Sequence, residues 1–335
     1  MRIYVDAFGG DNAPLSTVQG AADAVAAYGH TVVLCGDEAK IRACAAEHSI
    51  SLDGIEIAHT EDVLTMDDEP KSILKEHKNS SMGIGLQALA AGEGDAFVTA
   101  GSSGAILMGA TFIVKRLPGV SRPAFASVVP SDTKPFLLLD MGANAECRPD
   151  MLLQFARMGH LYMSQVVKKG AETTVGLLNI GTEEHKGGDV QQQAYQLLKE
   201  SGLPFIGNVE ARQVPYGAAD VIVTDGFSGN VMLKTMEGMA SMLLKNIKGL
   251  FMSNLLTKLA GAVVKPYLGE FKKKMSSDEH GGAPILGVRK TVIKAHGNAN
   301  NVAIMNAIRV AAESAAADIP GQIGKLVAKA EVSEA

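Results

Sequence analysis

Tryptophan is absent, and aromatic residues make up only 5% of the 335 residues. The core must therefore be aliphatic, and the supply is ample: 47% of the chain is hydrophobic, beside 36 glycines. Such a composition suits buried parallel strands joined by tight turns. Cysteine is scarce. Cys35, Cys44 and Cys147 form no CxxC pair, which argues against a disulfide framework and for reduced thiols in a cytoplasmic protein. Excess basic charge is also missing. A net charge of -5 excludes the usual electrostatic footprint of a nucleic-acid partner. No apolar run approaches the ~20 residues of a spanning helix, and the chain opens on a strand-like Arg2–Asp6 rather than on a charged and then apolar leader. The nucleotide-loop pattern GxxxxGK[ST], the zinc helix HExxH and the nucleophile elbow GxSxG are absent, and the histidines and cysteines show no metal-ligand spacing. Neither a metal, a cofactor nor a covalent nucleophile is expected.

What is present is a repeated order of strand, Gly-rich turn and helix. Short apolar runs at Ile3–Val5, Thr31–Cys35, Ala96–Thr99, Phe136–Leu139, Thr174–Leu178 and Val221–Thr224 each lead into Gly or a polar turn. Helical stretches lie between several of them, one opening at Pro14 and running to about Tyr28. The expected fold is a three-layer α/β/α arrangement around a mostly parallel, doubly wound sheet. No low-complexity linker divides the chain, so residues 1–335 read as one catalytic domain with a helical excursion at about 238–277.

One segment echoes another. Asp95-Ala-Phe-Val-Thr-Ala-Gly-Ser-Ser-Gly-Ala105 aligns without gaps to Asp220-Val-Ile-Val-Thr-Asp-Gly-Phe-Ser-Gly-Asn230, with six identities. Two parallel strands that meet the same turn requirement would give this echo, as would two anion-binding turns facing one cleft; both readings are open at this point. Helix starts leave backbone N–H groups unpaired and favour anions, and glycine lets the backbone approach closely. The candidate cradles are Gly9-Gly10-Asp11-Asn12, Gly101-Ser102-Ser103-Gly104, Gly187-Gly188 and Gly226-Phe227-Ser228-Gly229-Asn230. Ligands of open α/β sheets bind beyond the carboxyl ends of the strands, where these turns are expected to converge. Lys186 adds a cation able to hold phosphate or an oxyanion, Asn230 an amide or a helix cap, and His296 a donor or a structural histidine.

The excursion is distinct. Between Gly238 and Ser277 stand seven lysines and one acid, Glu270, within a chain that is acidic overall. At 100° per residue Phe251, Met252, Leu255, Leu256, Leu259, Ala262 and Val263 share one face of a helix, while Lys258 and Lys265 lie on the other. Pro266 is expected to end or kink that helix. A basic amphipathic helix of this kind lies on an anionic membrane surface, receives an acidic partner, or packs on its own subunit or a dimer mate.

Several long motifs stand in order: Asp6-Ala-Phe-Gly-Gly-Asp-Asn-Ala-Pro14, Leu139-Asp-Met-Gly-Ala-Asn144, Leu177-Leu-Asn-Ile-Gly-Thr-Glu-Glu-His-Lys-Gly187, Asp225-Gly-Phe-Ser-Gly-Asn-Val231, Gly281-Gly-Ala-Pro-Ile-Leu-Gly287 and Lys294-Ala-His-Gly297. With them the sequence resembles the phosphate acyltransferases of bacterial phospholipid synthesis over nearly its whole length. Phe8, the pair Ser102-Ser103 and His280 depart from that family's usual residues. The resemblance implies a dimeric α/β/α fold related to phosphotransacetylases and to isocitrate and isopropylmalate dehydrogenases. It implies transfer of a long-chain acyl group from acyl carrier protein to inorganic phosphate. Peripheral membrane association is implied too, as is hand-over of the acyl phosphate to a membrane glycerol-phosphate acyltransferase. It gives catalytic weight to Lys186 and Asn230, and substrate-binding roles to Asn144 and the glycine turns. The membrane face would comprise Phe251, Leu255, Leu259 and Lys258. The rival activities are a phosphotransacetylase-like enzyme using acyl-coenzyme A and, in another class, a non-catalytic membrane scaffold for lipid enzymes.

Overall fold

The protein is described by a computed structural model covering residues 1–274 and 281–334. His280 and residues 275–277 of the basic excursion lie outside the described residues. In the first half, strands β1 (Arg2–Asp6), β2 (Thr31–Gly36), β3 (Ile55–His59) and β4 (Ala96–Thr99) alternate with helices α1 (Leu15–Tyr28), α2 (Glu38–Glu47), α3 (Ser81–Ala91) and α4 (Ser103–Gly109). Two further strands, β5 (Ala124–Val129) and β6 (Phe136–Leu139), lead to α5 (Pro149–Tyr162), β7 (Val175–Asn179), α6 (Asp189–Glu200), β8 (Phe205–Glu210) and β9 (Val221–Val223). A long pair, α7 (Gly226–Phe251) and α8 (Leu255–Lys274), precedes β10 (Ala283–Leu286), β11 (Thr291–Lys294), α9 (Asn301–Ala316) and α10 (Ile319–Glu334). None of the described helices is long and apolar enough to cross a membrane.

All eleven strands among the described residues join one sheet, in the order β3-β2-β1-β4-β11-β10-β5-β6-β9-β7-β8. Alternate residues explain the layers, because successive strand side chains point to opposite faces. Ile3, Val5, Val32 and Leu34 pack under α1 and α9, while Tyr4, Val33, Cys35 and Phe97 pack under α3 and α4. Across the sheet Leu137, Leu139, Val221 and Val223 meet α5, whereas Phe136, Leu138 and Ile222 meet the base of α7 at Met232 and Met236. Both faces are covered along both halves, as the expected α/β/α architecture requires.

The sheet is mostly parallel, as expected, with antiparallel pairs at its centre. β10 is antiparallel to β11 and β5, and β5 is antiparallel to β6. The parallel set β6-β9-β7-β8 therefore runs opposite to the set β3-β2-β1-β4-β11. On its own this reversal would send the two sets of carboxyl ends to opposite edges. The register prevents it. Ile293 of β11 pairs with Val98 of β4 and Pro284 of β10. The next residue, Ile285, pairs with Phe125 of β5, and the one after Phe125, Ala126, pairs with Leu139 of β6. The two halves are staggered, so the strand ends of β4, β11 and β6 approach one level from opposite sides. The seam between the halves is where loops from both can meet.

The excursion is a helical hairpin rather than one amphipathic helix. The chain turns at Met252–Asn254, where Asn254 accepts from Thr257 N through Oδ1 at 3.0 Å and thereby caps α8. Phe251 and Met252 are thus separated from Leu255, Leu259 and Val263, which share one face of α8. Pro266 lies inside α8, which continues to Lys274. The carbonyl deprived of its usual donor belongs to Ala262, an exposed position that water can satisfy.

Candidate active site at the seam

A buried aspartate ends β1, another directly follows β6, and each organises the glycine turn after it. Asp6 accepts from Phe8 N at 3.2 Å and from Thr99 Oγ1 at 2.7 Å, and Thr99 Oγ1 in turn accepts from Gly101 N at 2.9 Å. Asp140 accepts from Phe125 N at 3.1 Å, Ala143 N at 3.2 Å and Asn144 N at 2.7 Å, and from the Asn144 side chain at 2.9 Å. Burial pushes both carboxyls up from their ordinary range, against the pull of these donors. The repeated sequence now has a structural meaning: its two copies form β4 beside β1 and β9 beside β6, equivalent places in the two halves.

The glycines of these turns are demanded by close approach. A side chain on Gly9 would stand 2.5 Å from Asp6 Oδ2 and 2.7 Å from Gly101 N. Gly229 is more constrained, since a Cβ there would lie 1.9 Å from the carbonyl oxygen of Asp140. The turn at 226–229 is consequently a packing turn. Gly226 N donates to Asn144 O at 2.7 Å, and Asp225 accepts from both Ser228 N and Ser228 Oγ. Asp225 is the cap of α7, which leaves Asn230 free of that duty.

A cavity of about 380 Å³ opens at the seam. Asn230, Lys234 and Glu237 reach it from α7, Ser103 from the start of α4, and Lys294, His296 and Gly297 from the end of β11. A Cβ added to Gly142 would stand 3.8 Å from the Asn230 Cβ, so the loop after β6 lies beside that side chain. Lys234 donates to Glu237 Oε2 at 2.7 Å, and its Nζ stands 3.4 Å from His296 Nε2. Apolar residues form another part of the wall: Phe125, Val128, Val129, Met141, Leu233 and Met236.

The structure brings some expected residues into this cavity and leaves others outside. Ser103, Asn230 and His296 line it. Gly9, Gly10, Gly101 and Ser102 form the layer behind: Asp11 N donates to Gly297 O at 2.8 Å, and a side chain on Gly10 would strike that same carbonyl. Ser102 caps α4 through Ala105 N, and Gly104 abuts Pro70. Asn144 has its amide tied to Pro123 O and Asp140, so it holds the loop rather than facing the cavity. Lys186, Gly187 and Gly188 do not line it. They belong to the loop after β7, the neighbour of β9, at the same sheet edge as Asn230 but one strand further out. That loop is tied down by Asn179 Nδ2 to Lys186 O and by Asn208 Nδ2 to Glu183 O.

Comparison with known proteins decides the family. Residues 1–321 match the family described as fatty acid synthesis protein. The chain is 46% identical over 312 residues to a phosphate acyltransferase of Oceanobacillus iheyensis, covering 93% of this chain and 92% of that one. A phosphate acyltransferase of Geobacillus thermodenitrificans is 45% identical over 325 residues, covering 96% and 98%. The chain belongs to the phosphate acyltransferase family. Its fold is shared more widely: a phosphotransacetylase from Streptococcus pyogenes superposes with a TM-score of 0.64 at 14% identity over 94% of both chains. The EutD phosphotransacetylase from Staphylococcus aureus gives 0.59 at 16% identity, also over 94% of both.

In this phosphate acyltransferase-family chain, sequence reasoning passed over Asp6, Asp140, Lys234 and Lys294. The signal for the aspartates was available, since Asp6 and Asp140 each follow an apolar strand and precede glycine. For Lys294 the signal was a single cation ending the apolar run Thr291-Val-Ile-Lys294. The hairpin carries a further feature. Leu255, Leu256, Leu259, Val263 and Tyr267 are exposed on α8, Leu256 by 79%. Phe251 is partly covered, and lies against Gly261.

Proposed function

We propose that the protein transfers a long-chain acyl group from acyl carrier protein to inorganic phosphate. The observation that carries this reading is one cavity with two kinds of wall. Its polar side gathers an amide, a hydroxyl, an imidazole and lysines, a set suited to an anion. The apolar side, from Phe125 to Met236, suits an acyl chain. Phosphate is already a nucleophile, so the protein need not supply one. A phosphate oxygen bonds to the thioester carbonyl carbon, the C–S bond breaks, and the carrier thiolate leaves and takes up a proton. The protein's part is to hold the two reactants in line and to stabilise the oxyanion between them. Asn230 would donate to that oxyanion or to phosphate. Lys186, one strand out at the same edge, would bring its ammonium to the reacting group from beyond the cavity lining.

The test is turnover of acyl carrier protein thioester with and without phosphate. Asn230→Ala and Lys186→Ala should each lose about 10²–10³ in rate, as removal of one such donor typically does. Near-normal turnover by a folded variant removes that residue from the mechanism. Running acetyl-coenzyme A in parallel separates the carrier-protein reading from a phosphotransacetylase-like one, and complete absence of thioester cleavage leaves the scaffold reading.

The whole chain is proposed to act as one catalytic unit in the cytoplasm, with the hairpin as its membrane contact. Exposed leucines on α8 beside Lys258 and Lys265 suit an anionic lipid surface. Met239, Met242 and Leu243 of α7, nearer the sheet, are also exposed and suit a second copy of the chain, as a homodimer. An acyl phosphate released there would be consumed by a membrane glycerol-phosphate acyltransferase.

A further inference from the structure

Lys294 is the last residue of β11, and only 7% of it is exposed. Its backbone is fixed on both sides, paired with Thr99 of β4 and with Ala283 of β10. Its ammonium donates to Ala100 O at 3.1 Å and to Ala295 O, the carbonyls of the turns that leave β4 and β11. Both partners are neutral. An ammonium has three protons, and the residue lines the seam cavity beside Asn230 and His296. A buried charge satisfied only by carbonyls is expensive to keep, and an apolar side chain would pack β11 without that penalty.

We propose that Lys294 is the phosphate-binding cation of this cavity, its Nζ held by Ala100 O and Ala295 O so that the remaining N–H meets an oxygen of inorganic phosphate. The assignment rests on the acyl-transfer reading above and adds to it the residue that recognises the nucleophile. The charges around this ammonium fit such a role. Asp6 from β1 and Asp11 from the following turn favour its protonated form, while Lys234 from α7 opposes it. His296 and Glu237 complete the ionisable groups lining the cavity. Burial is the largest influence and brings the lysine down to about 8. The ammonium is therefore present at neutral pH and is lost under mildly alkaline conditions, in a range where inorganic phosphate stays a dianion.

The experiment is calorimetric titration of the full-length protein with inorganic phosphate between pH 7.5 and 9.5, for wild type and Lys294→Met. Wild-type affinity should fall with rising pH, approaching tenfold per unit once the pH exceeds that of half-deprotonation. Lys294→Met should bind phosphate about 10- to 100-fold more weakly at pH 7.5, the usual worth of a hydrogen bond to a charged group, and without that pH dependence. In turnover its KM for phosphate should rise while its KM for the acyl donor stays put, a split that loss of a purely structural tie would not produce. Unchanged phosphate affinity in folded Lys294→Met overturns the assignment, as does wild-type affinity that is flat with pH. The second outcome needs no variant to fold. If wild type neither binds phosphate nor uses it to cleave the thioester, the acyl-transfer reading itself falls. If wild type does both and Lys294→Met binds equally well, only the lysine assignment falls.

Discussion

Gly229 and Gly238 lie on the same helix, and replacing each by alanine should have opposite effects. At Gly229 the new methyl would stand 1.9 Å from the Asp140 carbonyl oxygen, 3.0 Å from its carbon and 2.9 Å from Thr224 Cγ2. A carbon and a carbonyl oxygen rest at about 3.3–3.6 Å, so α7 or the loop after β6 must retreat by roughly 1.5 Å. Neither can do so freely. Asp140 N is bonded to Thr224 O, its carboxylate holds four donors, and Gly226 N is bonded to Asn144 O. Overpacking of a tight site costs about 1–3 kcal/mol, and a backbone contact this short belongs at or above the upper end. At Gly238 nothing lies within 4 Å, and the alanine gains only its better helix propensity, about 1 kcal/mol of stabilisation. Urea unfolding followed by circular dichroism reads both. Gly229→Ala should move the midpoint down and Gly238→Ala slightly up. Since Gly229 precedes Asn230, turnover should fall in the first variant and hold in the second. A Gly229→Ala protein as stable and active as wild type would show that the start of α7 is not seated on the β6 loop, and the account of how Asn230 is positioned would be lost.

Other predictions concern charge and surface. Asp220 is 1% exposed; burial alone would raise its carboxyl, but Lys134 at 2.7 Å, the Thr174 N–H and hydroxyl, and Lys168 at 3.2 Å reverse this and bring it to about 2. A depressed carboxyl stabilises the fold above its unfolded value of 3.8 and loses that contribution as pH falls toward 2, a difference of about 2–3 kcal/mol. Asp220→Asn should lower the urea midpoint at pH 7 and flatten its fall between pH 4 and 2; an unchanged acid limb would refute the assignment. Leu255→Glu with Leu259→Glu should release the protein from anionic liposomes in a flotation assay while soluble turnover persists. Continued binding would exclude α8 as the lipid contact, and collapse of turnover would give the hairpin a folding or carrier-docking role instead.

The elements that sequence exposed most clearly were those whose signal is local. Short apolar runs at Ile3–Val5 and Thr31–Cys35, and the glycine turns after them, led directly to a doubly wound sheet. The repeat between residues 95 and 230 located β4 and β9, and the close approach of the second turn's glycines to the Asp140 and Asn144 backbone came only with the structure. What escaped was long-range. The pairs β5–β6 and β10–β11 join consecutive strands, but the pairing that unites the two halves, Ile285 with Phe125, brings together short apolar runs far apart in the chain, and no turn between them marks it. The reversal of the two halves, and with it the seam cavity, follows from that pairing. The turn at Met252–Asn254 was hidden by an apolar face that appears continuous at helical spacing. Lys294 was hidden for a related reason: a lysine in a strand reads as solvated until neighbouring strands cover it.

Phosphate binding at the seam is the proposal on which the roles assigned to Asn230 and Lys294 depend. A crystal structure of the protein with inorganic phosphate bound locates it directly. The anion should sit in the cavity between β4, β6 and β11, within about 3 Å of the Asn230 amide and the Lys294 ammonium. Phosphate held instead by the outer loop around Lys186, with the seam cavity occupied only by water, would contradict the account.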